Sequence, residues 1–182
     1  MKFLFVLGLM FLCPPPATFA EWQWQELPRR TCHECVIVRG YDPVRNRSRL
    51  SLKMLPVADV PDGKMYFTLS RDMGEGPAGS PTKMCFAGIS VIAKTTFESK
   101  QIEVLILADG VPINLGLAPL GGTLTKGEKQ TSNYLSVTDW DSVSKLGLAD
   151  KLELHFGGME IKFGDEQRAA IRDFLAYARG DN

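Results

Sequence analysis

Apolar and polar residues alternate in three stretches of this 182-residue chain, each interrupted by a turn pair. The plainest case is "KLELHFGGMEIKF", residues 151 to 163. Leu152, Leu154 and Phe156 alternate with polar residues before Gly157-Gly158, and Met159, Ile161 and Phe163 alternate after it. A period of two on both sides of a tight-turn pair predicts a β-hairpin with one buried face. Its other face carries Glu153, His155, Glu160 and Lys162. "IEVLILADGVPINLGL" repeats the device around Asp109-Gly110, a pair that supplies the positive φ angles a two-residue hairpin requires. In "RLSLKMLPVADVPDGKMYFTLSR" the pair Asp62-Gly63 lies in a longer connection. Leu50, Leu52 and Met54 are expected to share one side of the first strand, and Met65, Phe67 and Leu69 one side of the second.

Further strands are predicted at Cys35 to Tyr41, Met84 to Ala93 and Tyr134 to Thr138. "CFAGISVIA" is nearly all apolar, as a strand covered on both faces would be. "DMGEGPAGSPTK" and "APLGGTLTKGEKQT" read as long loops, rich in Gly, Pro and Lys. Helix is confined to the last third. Asp141 is the expected cap of a short helix through Leu146, ended by Gly147. A longer helix is capped by Asp165, with Ile171, Phe174, Leu175 and Ala178 on one stripe and Gly180 as its stop. The pattern predicts a mainly β fold, a two-layer antiparallel sandwich-like domain with the C-terminal amphipathic helix packed on one sheet.

The first 20 residues break this pattern. Lys2 is followed by an unbroken apolar run from Phe3 to Leu12, then Pro14-Pro15-Pro16 and small residues at Thr18 and Ala20. This is the layout of a cleaved signal peptide, and the run is too short to span a bilayer comfortably. Cys13 follows Leu12, where a lipoprotein would carry a small residue. Cleavage after Ala20 leaves one exported domain, residues 21–182, secreted or periplasmic.

Charge changes the picture little. The chain has 21 basic and 21 acidic residues, and removing Lys2 leaves 20 against 21. That balance gives no argument for nucleic acid as a partner. Locally, seven basic residues stand against two acidic ones between Arg29 and Lys53. Most such runs are solvated surface; the sharper reading is an anion-binding patch at Arg45, Arg47 and Arg49.

The cysteines carry the strongest candidate chemistry. "TCHECV" places Cys32 and Cys35 around His33 and Glu34. A redox pair needs a helix N-terminus to activate the thiol, and here Val36, Ile37 and Val38 favour a strand. Haem attachment needs His directly after the second cysteine, where Val36 stands. Zinc needs four ligands, and only Cys85 and His155 remain to join this motif. Oxidising export favours a structural disulfide among Cys32, Cys35 and Cys85 instead, with Cys85 the expected partner of Cys32 or Cys35 across about 50 residues. No G-x-S-x-G elbow and no phosphate loop occur; "GTLTKGEK" has Glu128 where a phosphate loop has Lys. The expectation is therefore a non-catalytic exported β-domain without a cofactor, binding a protein or cell-envelope partner. The alternative is a thiol-redox or metal protein using Cys32, His33, Glu34 and Cys35.

Overall fold

The structure is a computed structural model and describes residues 22–31, 34–94 and 99–180. The expected signal peptide, residues 1–20, therefore lies outside the described residues, as do Cys32 and His33. In chain order the elements are β1 (Gln23–Glu26), β2 (Val36–Asp42), β3 (Arg47–Val60), β4 (Gly63–Glu75), β5 (Met84–Ala93), β6 (Gln101–Ala108), β7 (Val111–Lys126), β8 (Lys129–Asp139), α1 (Trp140–Ser144), β9 (Leu152–Phe156), β10 (Met159–Lys162) and α2 (Asp165–Arg179).

The fold is mainly β, and every strand pair is antiparallel. The ten strands form one open sheet in the order β1-β2-β3-β4-β5-β8-β7-β6-β9-β10. The strand pairing marks no division into two separate sheets, because β7 is long enough to serve both halves. Its first part, Val111 to Pro119, pairs with β6, and Leu120 to Lys126 pairs with β8. The sheet curls, so that Phe163 after β10 meets Phe67 of β4 at 5.6 Å between ring centroids. The core inside this curl is one continuous cluster drawn from both halves and from α2.

Local pattern and structure agree where the hydrophobic period is clear. Leu152, Leu154, Phe156, Ile161 and Phe163 are buried. Asp109 and Gly110 take φ of 51° and 81°, and Gly157 and Gly158 take 58° and 81°, as mirror-image hairpin turns require. Ile171, Phe174, Leu175 and Ala178 of α2 are all buried, and the helix stops at Gly180. At about 1.5–3 kcal/mol for each fully buried large side chain, this stripe is what docks the helix.

Four local expectations need correction. Met54 does not share the buried side of Leu50 and Leu52; a bulge between Leu52 and Leu55 gives Met54 a φ of 41° and turns Leu55 inward instead. "APLGGTLTKGEKQT" is not a loop but the arm of the β7–β8 hairpin, paired as far as Lys126 opposite Lys129. Its threonines are β-branched and hold strand conformation without a buried face, which the hydrophobic period cannot register. The short helix is capped by Asp139 rather than Asp141, through a 2.8 Å bond from the Ser142 N–H. That N–H holds the Asp139 carboxyl below its ordinary value. In α2, Gly164 takes the cap position, while Asp165 and Glu166 occupy the first turn, where the helix dipole favours negative charge.

Candidate functional site

Cys35 precedes β2 and Cys85 lies in β5; both are buried and both are free thiols. The expected bridge between them is not formed, and strand register gives the reason. Cys85 is opposite Arg71, Arg71 opposite Leu50, and Leu50 opposite Arg39. Three strand spacings, about 14 Å, therefore separate Cys85 from β2. Arg39 itself lies four residues along β2 from Cys35, roughly 13 Å further. A disulfide needs Cα atoms within about 7 Å. The alternatives through Cys32 fall outside the described residues.

Neither thiol is activated. Burial pushes the Cys35 thiol up to about 11, with the nearby Glu166 carboxylate adding to the effect and Arg29 opposing it. Burial likewise raises Cys85 to about 11 against the pull of Arg71. A thiol reacts as thiolate, and burial works against that form at both positions.

Cys35 nevertheless lines a cleft of about 470 Å³. The cleft exists because β2 and β3 have unequal reach. Pairing between them ends at Val36 opposite Lys53, while β3 runs on to Val60. Among the described residues, no strand pairs with this second edge of β3 beyond Lys53. Pro56 sits on that edge, where its missing N–H costs no ladder bond. The start of α2 crosses the gap: Gln167 Nε2 donates to the Pro56 carbonyl at 3.2 Å, and Glu166 Oε1 accepts the Glu34 N–H at 2.9 Å. Buried Leu55 and Cys35, with Val36, Pro56 and Tyr66, make the lining mostly apolar. Lys53, Glu34 and Glu166 supply its charged residues. Met54, 47 % exposed, stands at its mouth in the left-handed conformation imposed by the bulge.

The three arginines of the expected anion-binding patch are all engaged within the fold, two in ion pairs and one against aromatic rings. Arg45 pairs with Asp42 at 3.0 Å, and Arg47 pairs with Asp72 at 3.3 Å. The Arg49 guanidinium lies between two aromatic rings, 4.5 Å from the Phe86 centroid and 5.5 Å from that of Trp22. Burial there lowers the pKa of Arg49, and its Nε is buried without a hydrogen-bond partner. Trp22 stacks on Trp24 at 5.4 Å, and Lys53 Nζ sits 4.6 Å from the Trp24 centroid. Cation–π contacts thus join β1, β3 and β5 on the outer face of the sheet. Gly40 permits this, since a Cβ there would lie 2.4 Å from the Trp24 ring.

Sequence reasoning missed the cleft and the arginine–tryptophan contacts. The one local signal for the cleft was Pro56 inside an otherwise regular strand pattern, which marks an unpaired edge. Nothing local marks the contact between Arg49 and Trp22, which depends on how β1 lies along β2. No helix among the described residues is long and apolar enough to cross a membrane. No protein-family model matches the chain, and comparisons with curated proteins and with solved structures find no match either.

Proposed function

We propose that this protein is an exported, non-catalytic binding domain, and that the cleft beside Cys35 receives an apolar side chain from an extended segment of a polypeptide partner. The observation that carries this reading is the cleft's position on the unpaired edge of β3. Apart from the Pro56 carbonyl, which Gln167 already engages, this edge has no strand partner among the described residues; such an edge offers backbone donors and acceptors to an added strand, and an adjacent apolar pocket selects one of its side chains. The volume lies within the usual range of ligand pockets, and the lining is mostly apolar with a few polar groups, as recognition of a side chain requires. The competing use of Cys32, His33, Glu34 and Cys35 as a redox or metal motif is disfavoured by the protonated, buried state of Cys35. Export rests on Lys2, the apolar run from Phe3 to Leu12 and the small residue Ala20.

A photo-crosslinking amino acid placed at Met54 tests the binding reading, with the same group at Leu148, 79 % exposed, as control. In the native host, position 54 is expected to give a discrete polypeptide adduct that weakens with Tyr66→Ala, while position 148 gives none. No adduct at position 54, or equal adducts at both positions, overturns the proposal. Export is tested separately by mass spectrometry: the mature chain is expected to begin at Glu21, and an intact chain beginning at Met1 in the cytoplasm refutes it.

A further inference from the structure

The outward face of the β9–β10 hairpin holds a second cluster, which the cleft does not use. Glu153 and His155 are two residues apart on β9, so their side chains leave the same face. The Gly157-Gly158 turn sets the register that brings Glu160 directly opposite His155 and Lys162 opposite Glu153. One donor atom from each of Glu153, His155 and Glu160 lies within 4.8 Å of the other two. His155 Nε2 and Glu153 Oε1 are 2.8 Å apart. A hollow of about 430 Å³ adjoins His155 and Glu160, lined also by Glu103 and Ser99.

We propose that Glu153, His155 and Glu160 form a binding site for a divalent transition-metal ion of the zinc type. One imidazole nitrogen and two carboxylate oxygens are a donor set that suits such an ion. Ligands about 2.0–2.1 Å from a tetrahedral ion stand roughly 3.4 Å from one another. The present separations, from 2.8 Å to at most 4.8 Å, bracket that spacing, so side-chain rotation alone can close the site. The backbone under it is a paired hairpin with a tight turn, which holds the three Cα positions fixed. A single hydrogen bond accounts for His155 and one glutamate. The second carboxylate beside the same imidazole brings two negative groups together, and a bound cation removes that repulsion. Three protein ligands leave the remaining coordination position open to water or to an anionic group entering the hollow.

The test is isothermal titration of the metal-free mature chain with zinc chloride, read together with the melting temperature. One equivalent is expected to bind and to raise the melting temperature. His155→Ala and Glu160→Gln are expected to weaken binding about tenfold or more. Both variants should still fold cooperatively without zinc, because none of the three side chains belongs to the buried core. A Cys32→Ser, Cys35→Ser double variant is expected to bind as the wild type does. Absence of binding overturns the proposal. So does binding that survives His155→Ala and disappears in the cysteine variant, which would assign the ion to the cysteine motif.

Discussion

Asp173 of α2 accepts the backbone N–H of Arg30 through Oδ2 at 2.7 Å, across 143 positions of sequence. The same oxygen accepts the Thr31 N–H at 3.0 Å. Tyr177 adds a 2.7 Å bond to the Pro28 carbonyl, and the Arg30 guanidinium lies 4.3 Å from the Tyr177 ring centroid. The last helix thus ties down the segment that leads into β2, and with it the Cys35 side of the cleft. Asp173→Ala leaves two backbone donors without their acceptor, at a cost of about 2–3 kcal/mol. Asp173→Asn keeps a carbonyl in place and should cost less. Urea unfolding reads the cost, and limited trypsin digestion after Arg29 and Arg30 reads the loosening. Trypsin resistance equal to wild type in Asp173→Ala would refute the tether.

The β3–β4 turn divides its demands between two residues. Asp62 takes the left-handed φ of 57°, while a Cβ at Gly63 would lie 2.0 Å from the Ile92 carbonyl oxygen. Gly63 is therefore required by the close approach of β5 and not by its own φ. Gly63→Ala should destabilise the fold by about 2–3 kcal/mol, since backbone must shift to admit the methyl group. Asp62→Gly should be near neutral, because the new residue adopts that φ freely. Thermal unfolding of the two variants checks the contrast, and the reverse order of effects would contradict it.

Arg71 is nearly buried beneath the Trp140 ring, 3.7 Å from its centroid. Its Nε donates to the Thr82 carbonyl at 2.7 Å, and its Nη1 donates to the Ala178 carbonyl. One guanidinium thereby joins β4, the 76–83 loop, α1 and the end of α2. A lysine has a single charged centre and cannot reproduce the fork. Arg71→Lys should cost roughly 2–3 kcal/mol and shift the tryptophan emission of the folded protein. An unchanged unfolding midpoint would rule out this role.

The thiols set a pH limit. Both Cys35 and Cys85 have folded values near 11, above the ordinary 9.0. The folded chain therefore holds these protons where the unfolded chain has released them. The stability they contribute is complete below about 9 and is lost as pH rises towards 11. Urea midpoints should fall across that interval, and Cys85→Ala should make the fall shallower relative to its own midpoint at pH 8. Native-state alkylation of both positions should be slow at pH 8 and accelerate over the same range. Rapid alkylation of Cys35 at neutral pH would contradict its burial and reopen a redox role.

Much of the β structure was legible from sequence because its causes are local. Alternation at Leu152, Leu154 and Phe156 records a buried face whatever lies above it. Asp109-Gly110 records a turn because few residue pairs accept its φ angles. The stripe from Ile171 to Ala178 records a docked helix for the same kind of reason. Local reading failed where a residue answers to something distant. Met54 carries the right period for a buried position and is turned out by a bulge. Thr123 and Thr125 lie in an exposed arm that no hydrophobic face betrays.

By itself, then, the sequence determined most of the segments that extend, their tightest turns, and the apolar face wherever the period is regular. These are properties of two to four neighbouring residues and of the backbone angles they tolerate. Only the tertiary structure decided that β5 pairs with β8, that β7 joins the two halves of the sheet, and that β3 outruns β2 to leave an open edge. It also decided that Cys35 and Cys85 stand three strands apart, that Arg49 lies between Trp22 and Phe86, and that His155 faces Glu160. Strand order and register come from long-range pairing and from closing one core around α2. Most strands here have an apolar face that many partners could cover, so alternation alone does not choose among them.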